Sequence, residues 1–263
     1  MKVISIINHK GGVTKSTTCI HLAAYLAKRG YKVLIVDFDP QRNLSEGYGI
    51  PEDYPYTVLD MLNGKSGVRL KNKKGGLYIL AGDKMLDTVL FPLEILKNRL
   101  NTLDKMFSDE HGIDFDYCVV DCSPSDIKEK FYPDGKLLPK LNQIALFASD
   151  MFVVPLLHKK FAVDGLANFM YDASNFKEKY NPDLKVGGVF FNVVTERARS
   201  FKKYYKEVKD AVPPDFFLKS YVRKDVRIED ATDVGKSIFE VDPNSRAAKD
   251  YSKLTRELLK KLN

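Results

Sequence analysis

The chain has 263 residues, 44% of them hydrophobic, with 16 Gly and 12 Pro; this is enough for one substantial α/β domain and excludes a collagen-like, low-complexity or disordered chain. Three cysteines without a CxxC pair exclude a disulfide scaffold or zinc ribbon and fit a reducing cytoplasm. Lys and Arg outnumber Asp and Glu, 42 to 35, and from Glu196 to the end the ratio is 17 to 12, an excess that suits either a solvated helix face or a polyanion-binding surface.

Lys2–Asn8 reads as a β-branched strand that runs into a Gly-rich loop. A helical pattern comes next, with Ile20, Ala23, Ala24, Leu26 and Ala27 on one face, and stops near Gly30. Lys32–Phe38 is a second strand, apolar almost throughout, as expected of a strand covered on both faces. Further strands are predicted at Leu77–Leu80, Tyr117–Asp121, Met151–Pro155 and Val186–Asn192. Helices are predicted at Leu93–Phe107, Val163–Tyr180, Phe201–Val212 and Ala247–Leu262. The alternation predicts an α/β fold: a doubly wound, mainly parallel sheet with helices on both faces. No Pro-, Gly- or Ser-rich linker divides the chain, so 1–263 reads as one domain. Ser125–Asn142 is a long, Lys-rich loop of the kind that is often functional. No signal sequence opens the chain, and the longest apolar run, Ile144–Leu157, is broken by Asp150 and too short to span a bilayer.

The chemistry concentrates in three segments. Asn8-His9-Lys10-Gly11-Gly12-Val13-Thr14-Lys15-Ser16-Thr17 lies between a predicted strand and helix. Successive backbone N–H groups of such a turn, together with the helix N-terminus, can hold phosphates. Lys15 suits the β and γ phosphates and the Ser16 hydroxyl suits Mg²⁺. The strict phosphate-loop pattern would put Gly where His9 and Thr14 stand, so the strand–loop–helix context carries this reading. If position 14 needs a positive φ, a β-branched residue costs about 1–3 kcal/mol there. Second, Asp37 and Asp39 close the second strand in Val36-Asp37-Phe38-Asp39-Pro40-Gln41-Arg42-Asn43, at the sheet end where ligands bind in doubly wound folds. Third, Tyr117–Asp121 is an apolar strand ending in Asp, a Walker B pattern that puts Asp121 near Mg²⁺.

Together these segments resemble the deviant Walker A ATPases of the ParA/MinD superfamily, most closely the ParA/Soj branch. The signature KGGxxK[ST] is matched from Lys10 to Ser16, and the D-x-D-P-Q-x-N run from Asp37 to Asn43. Ala145–Asp150 through Pro155, with Gly165-Leu166, resembles the family's strand and next helix. Val222–Ala231, Gly235–Ile238 and Asp242–Ala247 resemble its C-terminal blocks and extend the likeness over nearly the whole chain.

The resemblance implies a P-loop ATPase with ATP or ADP and Mg²⁺ as cofactors. It implies that Lys10, Gly11, Gly12, Val13, Thr14, Lys15, Ser16 and Thr17 hold the nucleotide. Lys10 would reach the partner's phosphates in an ATP-bound homodimer. Asp39 would orient the attacking water beside Lys15, while Asp37 and Asp121 join Ser16 around the metal. Asn192 is a candidate for adenine recognition, with a loop-capping Asn as the alternative. Basic residues are expected to bind double-stranded DNA without sequence preference; Arg223, Lys224 and Arg227 fall in the matching block, and Arg197, Lys202 and Lys203 extend it. A ParB-like adaptor would stimulate slow hydrolysis and release the dimer, in a cytoplasmic, nucleoid-associated cycle that partitions plasmid or chromosome cargo. Ser125–Asn142 reads as an insertion, and no N-terminal helix-turn-helix segment precedes the loop. The alternatives are a ParA-like switch for a protein cargo, a MinD-type membrane-cycling regulator, and a nucleotide-dependent DNA scaffold that does not hydrolyse. A relative of nitrogenase reductase is disfavoured, because the cysteines offer no cluster-ligand pattern.

Several features read more simply as structure. Cys122 is expected to be a buried thiol, His9 a solvated histidine, and Gly64–Gly67 a turn. The run Tyr251–Asn263, with Leu254, Leu258, Leu259 and Leu262 on one side, is expected to dock on the core rather than on a membrane.

Overall fold

The computed structural model describes residues 1–159 and 165–262. In chain order these form β1 (Lys2–Ile6), α1 (Lys15–Lys28), β2 (Val33–Phe38), α2 (Asn43–Gly47), α3 (Val58–Leu62), β3 (Lys71–Lys73), β4 (Leu77–Leu80), α4 (Ile95–His111) and β5 (Tyr117–Cys122). Then come α5 (Leu141–Ala148), β6 (Met151–Leu156), α6 (Leu166–Tyr180), β7 (Lys185–Phe191), α7 (Arg199–Ala211), α8 (Arg227–Asp233), α9 (Ile238–Val241) and α10 (Arg246–Leu262). Val163, where the sequence pattern opens the sixth of these helices, lies outside the described residues, as does Asn263.

The strands form one sheet in the order β3-β4-β2-β5-β1-β6-β7, parallel except for the β3–β4 pair. The doubly wound, mainly parallel architecture is thus the one the alternating pattern predicts. Strands β2, β5 and β6 are buried at every residue, the reason their sequences show no polar alternation. Their side chains still alternate between two cores. Val33, Ile35, Tyr117 and Val119 pack with α1 and α10. Leu34, Val36, Phe38, Cys118 and Val120 pack with α4, α5 and α6. Each large side chain removed from water contributes about 1.5–3 kcal/mol. α10 closes the first core with Leu254, Leu258 and Leu262, so the C-terminal leucines dock on the domain. No helix among the described residues is long and apolar enough to cross a membrane.

Two expectations need correction. Ala145–Ala148 belongs to helix α5, not to a strand; Asn142–Leu146 are all buried, and an element buried all round loses the period that marks a helix. The long loop therefore ends at Lys140 rather than Asn142. It is anchored rather than loose: Asn142 Nδ2 donates to the Ser123 and Ser125 carbonyls, and Gln143 Nε2 to that of Ile127, whose side chain is buried. The sequence pattern also misses β3, a Lys-Asn-Lys edge segment. It carries no hydrophobic signal and exists because β4 offers it an antiparallel partner.

Cys19, Cys118 and Cys122 are all buried, and burial pushes each thiol up, away from the reactive thiolate. A disulfide reagent should label none of the three in native buffer and all three once denaturant unfolds the chain. Rapid labelling of the native protein would contradict this packing.

Candidate nucleotide and metal site

The site forms where β1, β2 and β5 end side by side. β5 lies between β1 and β2, so the two strands of the first βαβ unit are not neighbours and a crevice opens at the switch in strand order. Asn8 fixes the loop after β1. Its Nδ2 donates to the Pro155 carbonyl at 2.9 Å, and its Oδ1 accepts from the Lys10 amide at 3.0 Å. The loop then turns through two left-handed residues, Gly12 (φ 69°) and Thr14 (φ 68°), before α1 begins at Lys15. Gly12 takes this conformation freely; Thr14 does not. The sequence raised that cost at Thr14 conditionally, and the observed φ realises it.

Lys15 is buried, and its Nζ donates to the Lys10 carbonyl at 3.1 Å, which folds the side chain back over the loop. Ser16 and Thr17 occupy the first turn of α1, where amide N–H groups lack helical partners. Lys10 is half-buried beside Gly165 and His9. His9 is half-buried rather than fully solvated. Its ring stacks 6.1 Å from that of Phe169, and burial, then the Lys10 charge, lower its pKa.

Three carboxylates converge opposite the loop. Asp37 and Asp121 are register partners on β2 and β5. Residues two apart in a strand face the same side, but β2 ends at Phe38, which frees Asp39 from that pattern. Asp37 accepts from the Ser45 amide at 2.8 Å and the Ser45 hydroxyl at 2.6 Å, and burial pushes its carboxyl up to about 6. Asp39 accepts from the Gln41 amide at 3.0 Å; burial raises its pKa and Lys15 opposes the rise. Asp121 is fully buried and neither of its oxygens has a hydrogen-bond partner. Burial, then the charge of Asp37, hold it well above the usual carboxylate range; nearby Ser16 and Lys15 pull the other way.

A buried, unpartnered carboxylate is costly unless a cation meets it. Hard oxygen donors from Asp121 and Ser16, with Asp37 adjoining, fit Mg²⁺ chemistry. No cluster of three or more His, Cys, Asp or Glu among the described residues could hold a metal alone. Mg²⁺ keeps waters and takes phosphate oxygens as ligands rather than an all-protein cage.

Sequence reasoning missed the parts that hold this site together. Ser45 Oγ, bonded to Asp37, accepts from the Gly82 amide at 2.9 Å. Arg42 is buried in a left-handed conformation (φ 55°), with Nε on the Gly82 carbonyl and Nη2 on the Pro51 carbonyl. A Cβ at Gly82 would lie 2.8 Å from the Asp37 carboxyl carbon, so the chain must approach there without a side chain. Nothing local in the sequence announces a partner some 40 residues away. A cleft of about 430 Å³ borders Asp39, lined by Gln41, Leu90, Phe91, Pro124 and Lys140 among others.

Asn192 is buried behind the phosphate loop with both ends of its amide engaged within the chain. Of the basic candidates, Arg197, Lys202, Lys203 and Lys224 are exposed. Arg223 is bonded through two nitrogens to the buried Asp250, and Arg227 to Asp225 and Asp242. These two guanidiniums are already paired.

Residues 1–186 match the family model described as an AAA domain. The chain is 31% identical to the chromosome partitioning protein ParA of Caulobacter vibrioides, over 98% of this chain and 94% of that one. It is also 31% identical to the sporulation initiation inhibitor protein Soj of Bacillus subtilis, over 98% of both. Among solved structures it resembles cobyrinic acid a,c-diamide synthase from Mycobacterium smegmatis with bound ATP analogue and magnesium, at 25% identity and a TM-score of 0.76, over 99% of this chain and 95% of that one.

Asp121→Asn removes the buried ionisable carboxyl. It should raise the Tm of the nucleotide-free protein at pH 7.5 by about 2–4 °C for each kcal/mol recovered. The sign comes from linkage: carboxyls raised in the folded state take up protons before those of the unfolded chain, which titrate near pH 4. The stability that Asp121 forfeits at neutral pH returns as pH falls below its raised folded value and is complete below about 4, where the unfolded chain titrates. The gap between variant and wild type should therefore close on acidification. The variant should also lose the tightening of nucleotide binding by Mg²⁺. An unchanged Tm at pH 7.5 would contradict the unpaired charge.

Proposed function

The chain belongs to the ParA/Soj family of partition ATPases, and from that premise we propose that it is an ATP-gated dimerising switch that binds DNA without sequence preference. ATP and Mg²⁺ are its cofactors, and hydrolysis resets the switch. The observation that carries the reading is the meeting of a basic, left-handed phosphate loop with three buried carboxylates, one of them unpartnered, at the ends of β1, β2 and β5.

In this reading the loop amides from Gly11 to Thr17 and the Lys15 ammonium bind the phosphates. Ser16 and Asp121, with Asp37 adjoining, would hold Mg²⁺, which supplies charge neutralisation on the phosphate oxygens. Asp39, at the border of the cleft, orients the attacking water. Burial raises the pKa of Asp39, which favours proton uptake relative to a solvated carboxylate. Lys10 has no side-chain ion-pair partner among the described residues and is half-buried at the loop's edge. It reaches across a face-to-face dimer to the partner's phosphates, where its charge stabilises the transition state. The whole of 1–263 acts as one domain, and the anchored 125–140 loop, next to Asp39, shapes the face that a partner or second copy meets.

The exposed Arg197, Lys202, Lys203 and Lys224 form the DNA-binding surface, and such phosphate contacts weaken steeply with salt. Arg223 and Arg227 contribute to its shape through their carboxylate partners, and reach phosphate only by exchanging them. A DNA-bound, ParB-like adaptor stimulates hydrolysis, and the cycle moves plasmid or chromosome cargo over the nucleoid. The burial of Leu254, Leu258 and Leu262 against α1 favours this over a membrane-cycling regulator.

The test is binding to a random-sequence duplex without nucleotide, with ADP and with ATP, at two salt concentrations. The wild type should bind only with ATP. Lys10→Ala should abolish binding. Lys202→Ala/Lys203→Ala should weaken it for every sequence and flatten the salt slope by about one unit for each phosphate no longer neutralised. ATP binding without DNA binding under any condition would overturn the DNA reading and point to a protein or membrane surface. Arg223→Ala is expected to act mainly on folding. It strands the buried Asp250, at a cost of about 3–5 kcal/mol in a denaturant melt, less whatever solvent reaches the pair.

A further inference from the structure

Thr14 and Val193 are both β-branched residues held in the left-handed region, at φ 68° and 54°. Two such residues in one small volume need something to hold them. One side chain touches both. Asn192 Nδ2 donates to Thr14 Oγ1 at 2.7 Å, while Asn192 Oδ1 accepts from the Val193 amide at 2.8 Å. The same Nδ2 lies 3.3 Å from Thr18 Oγ1 and 3.2 Å from the Tyr251 hydroxyl on α10. The Asn192 backbone is itself pinned, its amide donating to the Leu156 carbonyl at 2.7 Å. Asn192 and Tyr251 are fully buried.

We infer that Asn192 is a positioning residue of the phosphate loop, which it holds in its left-handed turn through the Thr14 hydroxyl, with Tyr251 as its support on α10. The Thr14 hydroxyl donates to the neighbouring Val13 carbonyl, so its lone pair is open to the Asn192 amide. The Thr14 carbonyl then receives the Thr18 amide at 2.9 Å and the Thr18 hydroxyl at 2.7 Å, which starts α1. A glycine at position 14 would need none of this; a threonine there is tolerable because a buried amide meets its side chain. Both amide atoms of Asn192 are already bonded within the chain, Nδ2 to Thr14 and Oδ1 to Val193, and the positioning role needs no contact with the base. The inference rests on nucleotide binding at the loop.

The experiment measures affinity for fluorescent ATP and GTP analogues in the wild type, Asn192→Ala, Thr14→Gly and the double variant, with a thermal melt of each. Asn192→Ala should weaken both nucleotides by the same factor, about tenfold, as expected for loss of one buried hydrogen bond. In the Thr14→Gly background the same change should cost no more than about twofold, because glycine holds the turn unaided. Thr14→Val keeps the shape but removes the hydroxyl, and it should match Asn192→Ala. This variant serves if Asn192→Ala does not fold. Tyr251→Phe should give a smaller loss in the same direction. If Asn192→Ala erased a preference for ATP over GTP, or cost as much with glycine at position 14, the inference would fail while nucleotide binding stood. Absence of binding by the folded wild type would overturn both.

Discussion

A buried carboxylate with no partner is the constraint around which this domain is arranged. Asp121 lies one residue before the end of β5, a strand sealed on both faces, so water does not reach its carboxyl. Asp37 is its register partner across the β2–β5 pair and adds a second negative charge. A parallel sheet covered by helices brings all its strand ends and connecting loops to the same edge. The carboxylates that would meet a cation and the loop amides that would meet its phosphates therefore share one place by topology, before any side chain is chosen.

The surroundings hold that charge in position rather than neutralise it. Ser45 bonds Asp37 and passes the bond to the Gly82 amide, while Arg42 takes the Gly82 carbonyl from the other side. Gly82 is gripped at both its backbone groups and has no room for a Cβ. The segment after β2 and the segment after β4 are thereby tied together beside Asp39. Fixed polar groups of this kind do their work because they need not reorganise when charge develops.

Strain is concentrated in the same region. Thr14, Arg42 and Val193 are the described non-glycine residues with positive φ, and each borders the phosphate loop, the aspartate segment or the strand end behind them. Each is held by hydrogen bonds: Asn192 meets Thr14 and its own neighbour Val193, and the Gly82 and Pro51 carbonyls meet Arg42. The bonds to Thr14 and to the Gly82 carbonyl join segments far apart in the sequence. That makes the site a product of the completed fold.

The sequence by itself determined the class of the fold and the inventory of the site. Apolar runs such as Val33–Phe38 and Tyr117–Cys122 can be satisfied only by burial on two faces, and the Lys10–Ser16 and Asp37–Asn43 motifs are short, contiguous and chemically specific. Short-range order is what a sequence records directly. Helix α5 escaped because it is buried all round, and β3 because its only reason to be a strand is the partner beside it. Tertiary structure alone decided that β5 enters between β1 and β2 and so faces Asp121 with Asp37. It alone paired Arg223 with Asp250 and Arg227 with Asp225 and Asp242, removing two charges that a linear count leaves available. It alone turned Asn192 from a polar residue at a strand end into the support of a loop 178 residues away. Those outcomes depend on which groups meet in space and how much water is left between them, and neither quantity is written in the order of the residues.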